Sequence, residues 1–233
     1  IAFDLDGTLA DLQGLLARVA DQTFGRAEQA PAAGEPAGEP DPSSSAAEGQ
    51  ASPEDEPVPP KLERLGPAAQ RRLWRSVLET ENFWESLDEI EPGQVARLAT
   101  IALERRWEVI FITQRPSSAG DTCQLQSQRW LDRHGFALPS VFVVRGSRGK
   151  VATALDLDVV VDDRPENCLD VVLESKARAL LVWRGDPADP QPANAKRLNI
   201  EVVSSIAECL DQLATERDDK VGLLGRLKRF IGS

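Results

Sequence analysis

DVVVDDRPENCLDVVLES, residues 158–175, is the stretch that decides the fold. Val159, Val160 and Val161 form an apolar run with no polar alternation, the pattern of a strand whose sheet is covered on both faces. Two acids follow, Asp162 and Asp163. From Asn167 to Ser175 the apolar residues then recur at helical spacing. Strand, acidic turn and helix succeed one another, and the same unit repeats outward in both directions. Val109-Ile-Phe-Ile112 precedes a helix over Asp121 to Arg133. Val141-Phe-Val-Val144 precedes one over Arg148 to Leu155, and Ala179-Leu-Leu-Val-Trp183 supplies the strand after residue 175. Ile1 to Phe3 adds a strand at the start. Ile200 to Val203, followed by a helix over Ser204 to Leu213, adds one near the end. Strands alternating with helices predict an α/β fold, a three-layer Rossmann-like parallel sheet.

The regularity is interrupted once, between the first strand and the second. Leu12, Leu15, Leu16 and Val19 lie at helical spacing within Leu9 to Phe24, and Leu62, Leu65, Leu73 and Val77 do so within Leu62 to Leu78. Residues 9–91 therefore read as a small helical cap inserted after the first strand, leaving 1–8 and 92–215 as the core. Within the cap, residues 27–60 are Pro, Ala, Gly, Ser and Glu with almost nothing to bury, and are expected to be a disordered insertion. This segment carries eight acidic and no basic side chains, so the chain's net charge of −11 falls to −3 outside it. The acidity belongs to the insertion and marks no surface for cationic partners. An extended basic face for a nucleic-acid polymer is lacking as well.

Residues 216–233 form a basic amphipathic tail, with Leu223, Leu224, Leu227, Phe230 and Ile231 set against Lys220, Arg226, Lys228 and Arg229. Such a tail suits weak docking on an anionic membrane or in a protein groove, or packing as a terminal helix on its own domain. The apolar runs are far shorter than the roughly 20 residues of a membrane span, and a cytoplasmic location is expected. The chain starts at Ile1 and contains no Met, so its start reads as trimmed. Cys123, Cys168 and Cys209 are widely spaced with no CxxC pair, and read as buried thiols. His134, ahead of Gly135, reads as a helix C-cap.

Ligands of an open parallel sheet bind beyond the carboxyl ends of its strands. The first strand ends in Asp4-Leu5-Asp6-Gly7-Thr8, the second in Thr113-Gln114-Arg115 and the fourth in Asp162-Asp163, while Lys150 opens the helix before that fourth strand. A carboxylate attacking a phosphate monoester dianion needs cationic help. Magnesium supplies it through hard oxygen ligands, a role that Asp4 and Asp162 fit. Asp6 can protonate the leaving oxygen and later activate water, and its carbonyl can touch the metal. Thr113 offers a hydroxyl and an N–H to phosphate oxygens. Lys150 offsets the charge, with Arg145 and Arg148 close enough to serve instead. Gly7 lets the backbone approach the anion, with Thr8 beside it in the substrate-binding turn. Gln114 and Arg115 either read a second polar group of the substrate or cap the loop. Asn167 either holds a metal-bound water or an acidic neighbour, or is the N-cap of its helix.

With these residues in order, the chain resembles the haloacid dehalogenase-like hydrolase superfamily. The hydrophobic-DxDGT motif stands as FDLDGT (3–8), the strand-ending Thr as FIT (111–113), the lysine as Lys150 and the acidic pair as VVVDD (159–163). The resemblance implies that Asp4 becomes an aspartyl phosphate and that Asp6 is general acid and base. It also implies a Mg²⁺ cofactor held by Asp4, the Asp6 carbonyl and Asp162, with Asp163 behind them or bound through water. DLDGTLAD, Phe83-Trp84 before Pro92-Gly93, FITQRP, QRWL and DDRPEN are similar to the 5′(3′)-deoxyribonucleotidase branch. That implies a nucleoside monophosphate substrate whose base stacks on cap aromatics. Phe24, Phe83 and Trp84 are the candidates, unless they pack between cap and core. The expected activity is thus a magnesium-dependent phosphohydrolase acting on a small phosphomonoester. The alternatives are a phosphotransferase or mutase of the same superfamily, or a weakly active scaffold that binds partners through its acidic linker or basic tail.

Overall fold

The computed structural model describes residues 1–24, 66–186 and 188–215. The expected disordered insertion at 27–60, the basic tail at 216–233, and Leu62 and Leu65 of the second expected helix lie outside the described residues. Six strands form one sheet: β1 (Ala2–Asp4), β2 (Ile110–Thr113), β3 (Ser140–Val143), β4 (Val159–Asp162), β5 (Arg178–Val182) and β6 (Glu201–Val203). Their order is β3-β2-β1-β4-β5-β6 and every pairing is parallel. The helices are α1 (Leu12–Phe24), α2 (Pro67–Glu79), α3 (Gln94–Arg105), α4 (Cys123–Arg133), α5 (Arg148–Ala154), α6 (Pro165–Glu174) and α7 (Gln191–Arg197), then a helix over 206–215, here α8.

Side-chain alternation along buried strands produces the three layers. Phe3, Phe111, Val161 and Leu180 point into a core shared with Leu98 of α3, Trp130 and Leu131 of α4, and Ile206 and Leu210 of α8. Ala2, Ile112, Val160 and Leu181 point into a second core with Ala152 of α5, Cys168 and Val171 of α6 and Ala195 of α7. All four residues of β4 are buried. Its three valines contribute about 1.5–3 kcal/mol each, and against this stands the cost of desolvating Asp162 at the end of the same strand. The three cysteines are buried thiols, and His134 is the C-cap of α4, followed by Gly135 at φ 96°. The sequence reading missed α7. Its run QPANAKR buries only Ala195, so it offers no apolar period to detect.

The α1–α2 insertion has no core of its own, because Leu16, Ala20, Leu73, Trp74 and Val77 join the first core. Its entry and exit are paired like a short ribbon. Ala10 bridges Glu89, Asp11 N donates to Asp88 O at 2.9 Å, and Ile90 N donates to Leu9 O at 2.9 Å. Beyond α2, a 3₁₀ turn at Phe83–Glu85 leads back to the sheet, and Trp130 Nε1 holds the returning chain at Leu87 O, 2.8 Å away. Among the described residues, no helix is long and apolar enough to cross a membrane.

From β1 the chain continues to β2 on one side, while β4 lies on the other side of β1. A crevice therefore opens at the carboxyl ends of β1 and β4.

Candidate active site

Asp4 ends β1 and Asp162 ends β4, at 7% and 0% exposure. The turn after Asp4 is held by Leu9 N and Ala10 N, which both donate to Leu5 O at 2.8 and 2.7 Å, and by Gly7 N, which donates to Ala10 O at 3.0 Å. Gly7 has φ 85°, and a Cβ there would lie 2.1 Å from Asp163 Oδ2. Glycine is thus required twice, by the left-handed backbone and by the carboxylate against it. The group that approaches Gly7 is Asp163, where the sequence reading had placed the substrate anion. Thr8, fully buried, donates its hydroxyl to Asp163 Oδ1 at 3.2 Å.

Two buried arginines face these acids. Arg148 opens α5 just after Ser147, whose Oγ caps the helix by accepting from Gly149 N and Lys150 N. Its Nη2 donates to Asp4 Oδ1 at 2.7 Å and its Nε to Asp162 Oδ2 at 3.5 Å. Its Nη1 is buried and has no hydrogen-bond partner among the described residues. Lys150, the expected cation, is exposed. Two residues along α5 it lies about 200° round the helix from Arg148, and the cation beside Asp4 is Arg148, one of the alternatives to Lys150 that the sequence leaves open.

Arg115 also departs from the expected substrate-binding role. It is 2% exposed, and its Nε and Nη2 donate to Asp6 Oδ2 and Oδ1, both at 2.7 Å. Nη1 donates to Ser127 Oγ at 2.9 Å, and the guanidinium lies over the Trp84 ring, 5.1 Å from its centroid. Every nitrogen of the group already has an acceptor. Thr113 Oγ1 donates to Asp6 Oδ2 at 3.3 Å and accepts from Arg115 N at 3.3 Å, while Gln114 is half-buried. Phe83 and Trp84 are buried and meet edge to face at 5.1 Å, and Trp84 Nε1 donates to Pro116 O at 3.0 Å. Of the alternatives open for these two rings, the structure has them packing. Phe24 is half-buried at the end of α1, beneath the Arg72 guanidinium.

Asp162 is oriented from behind. Asn167 Nδ2 reaches both of its carboxylate oxygens at 3.0 Å, and Arg164 N donates to Oδ1 at 2.9 Å. Asn167 is therefore the holder of an acidic neighbour, and the N-cap position of α6 belongs to Arg164. Cys168 lies behind the same strand end, where burial first and then Asp162 push its thiol up, so it stays protonated and is no nucleophile.

The acids are under electrostatic pressure. Burial, then the neighbouring Asp162, raises the pKa of Asp4 well above the carboxylate range, with Arg148 opposing. Burial also raises Asp162, against the pull of Arg148. Asp163 is pushed to about 7, by burial and then by Asp162. Asp4 and Asp162 thus share the one buried guanidinium of Arg148, while the cation acting on Asp163 is the partly exposed Arg184, and this deficit of positive charge suits a divalent, oxygen-seeking cation. No cluster of three or more His, Cys, Asp or Glu among the described residues is placed to hold a metal ion. Magnesium needs only one or two carboxylates and keeps several waters. Asp4, Asp162 and the Asp6 carbonyl offer such a set.

One residue at the crevice was missed from the sequence. Arg184, just beyond β5, donates from Nη1 to Gly7 O at 2.7 Å, and from Nη2 to Thr8 O at 3.1 Å and to Glu91 Oε1 at 2.6 Å. Glu91 in turn accepts from Ile206 N and Ala207 N at the start of α8. Its carboxyl is lowered because the Arg184 and backbone hydrogen bonds outweigh the upward effect of burial. The strand-end rule, applied to ALLVW-R as it was to the other strands, points to Arg184.

The fold has solved counterparts. The structure described as "putative beta-phosphoglucomutase from Thermotoga maritima" matches with a TM-score of 0.50 at 17% identity, over 91% of this chain and 96% of that one. A haloacid dehalogenase-like family hydrolase from Xanthomonas campestris matches with a TM-score of 0.43 at 14% identity, over 92% and 96%. The parallel six-stranded sheet with helices on both faces is an α/β, Rossmann-like fold, shared with the first of these structures. No family model matches the chain, and no curated protein matches it.

Proposed function

We propose that this chain is a magnesium-dependent phosphohydrolase of the haloacid dehalogenase-like superfamily, acting on a small phosphomonoester with Asp4 as nucleophile. The observation that carries the reading is the buried Asp4 carboxylate at the end of β1, bonded to Arg148 and two residues from an acid, Asp6, whose own partners hold it in one orientation. A carboxylate oxygen of Asp4 attacks phosphorus, the bond to the leaving oxygen breaks, and Asp6 gives that oxygen a proton. Water then attacks the aspartyl phosphate, Asp6 takes its proton, and inorganic phosphate leaves with Asp4 regenerated. Arg148 offsets the charge that Asp4 and the phosphoryl oxygens bring together. Mg²⁺, held by Asp4, Asp162 and the Asp6 carbonyl, would supply further positive charge to the phosphate.

Within this reading a nucleoside monophosphate is the particular substrate that the sequence motifs favour. Phe83 and Trp84 are committed to packing, so base recognition falls to other cap residues, with Phe24 the remaining aromatic candidate. The insertion after β1 and the fold match to a structure described as a phosphoglucomutase favour a second reading, in which a sugar phosphate replaces water as acceptor.

The test is turnover of a phosphomonoester panel, including deoxyribonucleotides, with Mg²⁺ and with chelator, beside Asp4→Asn. Loss of activity in both the variant and the chelated enzyme is expected, and turnover surviving in Asp4→Asn would overturn the mechanism. Phosphate moving to an added sugar phosphate faster than to water would select the second reading.

A further inference from the structure

We infer that Arg115 is a positioning residue that sets the orientation of Asp6 for proton transfer, and that it does not bind the substrate phosphate. The inference rests on the phosphoryl-transfer reading given above, since it assigns Asp6 a proton to move. Two features of the geometry support it.

Asp6 has a 16% exposed side chain at the mouth of the crevice, and a carboxylate there can rotate about two torsions unless something fixes it. Arg115 meets it with a two-pronged, planar contact, Nε to Oδ2 and Nη2 to Oδ1, each at 2.7 Å. A fork of this kind fixes the plane of the carboxylate as well as its position, which a lysine ammonium cannot do. The guanidinium is itself immobilised on its other sides. Ser127 of α4 accepts from Nη1, and the Trp84 ring lies under its face. Trp84 is locked in turn by its Nε1 bond to Pro116 O and by Gln126 Oε1 at its backbone N–H. The support therefore runs from the rigid helix α4 and the 3₁₀ turn, through Trp84 and Arg115, to the carboxylate. Proton transfer needs its donor and acceptor within about 2.6–3.2 Å, and small displacements are costly. A second point follows from access. The Arg115 side chain is 0% exposed and each of its nitrogens already has an acceptor, whereas Nη1 of Arg148 has no acceptor among the described residues.

The experiment uses the full chain and compares wild type, Arg115→Lys, Ser127→Ala, Asp6→Asn and the Arg115→Lys/Asp6→Asn double variant. Steady-state kinetics are run on whichever phosphomonoester the wild type turns over fastest, and Arg side-chain ¹⁵N NMR reports the Nε–H. Arg115→Lys keeps the charge and removes the fork. It is expected to lower kcat by about 10²-fold, the scale of lost acid–base catalysis, with KM within about threefold. Ser127→Ala leaves the fork and removes one anchor, so a kcat loss of a few fold at unchanged KM is expected. The double variant should be no slower than Asp6→Asn alone, since Arg115 acts through Asp6. The wild type should show one exchange-protected Nε–H that Asp6→Asn removes.

A rise in KM with kcat kept in Arg115→Lys would make Arg115 a substrate binder and overturn the inference. Losses that multiply in the double variant, or the absence of a protected Nε–H, would overturn it as well. Failure of the underlying reading looks different. There the protected Nε–H and its loss in Asp6→Asn are seen, but wild type turns over no phosphomonoester, and the pair is then structural only.

Discussion

The two buried arginines of the crevice carry the same charge on the same group, yet they are partnered differently. Arg115 gives every nitrogen to an acceptor, with two bonds of 2.7 Å to a single carboxylate and an aromatic face beneath it. Arg148 makes one bond of 2.7 Å to Asp4 and one at 3.5 Å to Asp162, and its Nη1 has no partner among the described residues. A buried donor left without an acceptor costs about 1–3 kcal/mol, so a fold keeps it only where something else compensates. An anionic oxygen arriving between Asp4 and Arg148 would do so. A guanidinium with an acceptor at every nitrogen fits a part of the scaffold, and a buried nitrogen without one fits a place where a ligand would sit.

Removing each arginine in turn should separate stability from activity. Arg115→Met leaves Asp6 beside the protein interior with no counter-ion, and should cost about 3–5 kcal/mol of stability. Denaturant unfolding measures it. The double variant Arg115→Met/Asp6→Leu should recover most of that loss, because the uncompensated charge is gone. Arg148→Met should show the opposite balance. Asp4 and Asp162 are already pushed toward their protonated forms, so the variant can take up a proton in place of the lost guanidinium. Its activity should nevertheless fall by about 10²–10³-fold, the scale of one lost transition-state donor. Equal stability losses in the two variants would break the comparison.

The sequence made the sheet legible because its strands are apolar runs of about the right length, and a parallel sheet covered on both faces needs nothing more to be seen. The strand-end rule likewise brings Asp4, Asp6, Thr113 and Asp162 to one edge from the sequence alone. Side-chain direction was out of its reach. GSRGK presents three basic or capping positions in five residues, and only the helical phase set by the Ser147 cap decides that Arg148 turns inward and Lys150 outward. Arg115 looked like a substrate contact because nothing in FITQRP reveals that Asp6, 109 positions away, fills its fork. Long-range ion pairs leave no local period. α7 left none either, with a single buried residue in seven.

Asp163 offers a smaller, signed effect. Its folded pKa of about 7 stands above the unfolded value of about 3.9, so between roughly pH 4 and 7 the folded protein holds a proton that the unfolded chain has released. The stability this group contributes is complete below the unfolded value and is lost as pH rises through the folded one. In chelator, wild type should therefore lose stability relative to Asp163→Asn between pH 5 and pH 8, as measured by urea unfolding. A gain over that interval would mean that the carboxylate is stabilised as an anion, and that Arg184 outweighs burial at this position.

The smallest effect should be at Lys150, and it tests the comparison most directly. The lysine of GSRGK matches in sequence the pattern that the chain resembles, while the cation bonded to Asp4 is the arginine two residues before it. Lys150 is exposed, and its backbone N–H donates to Ser147 Oγ, a bond that any residue but proline provides. Lys150→Ala should therefore change kcat/KM by less than about twofold and leave stability within about 0.5 kcal/mol. A loss of tenfold or more would mean that the helix turns on binding substrate, bringing Lys150 to Asp4 in place of Arg148. The unpaired Nη1 of Arg148 would then belong to a resting arrangement and would not mark the seat of the phosphate.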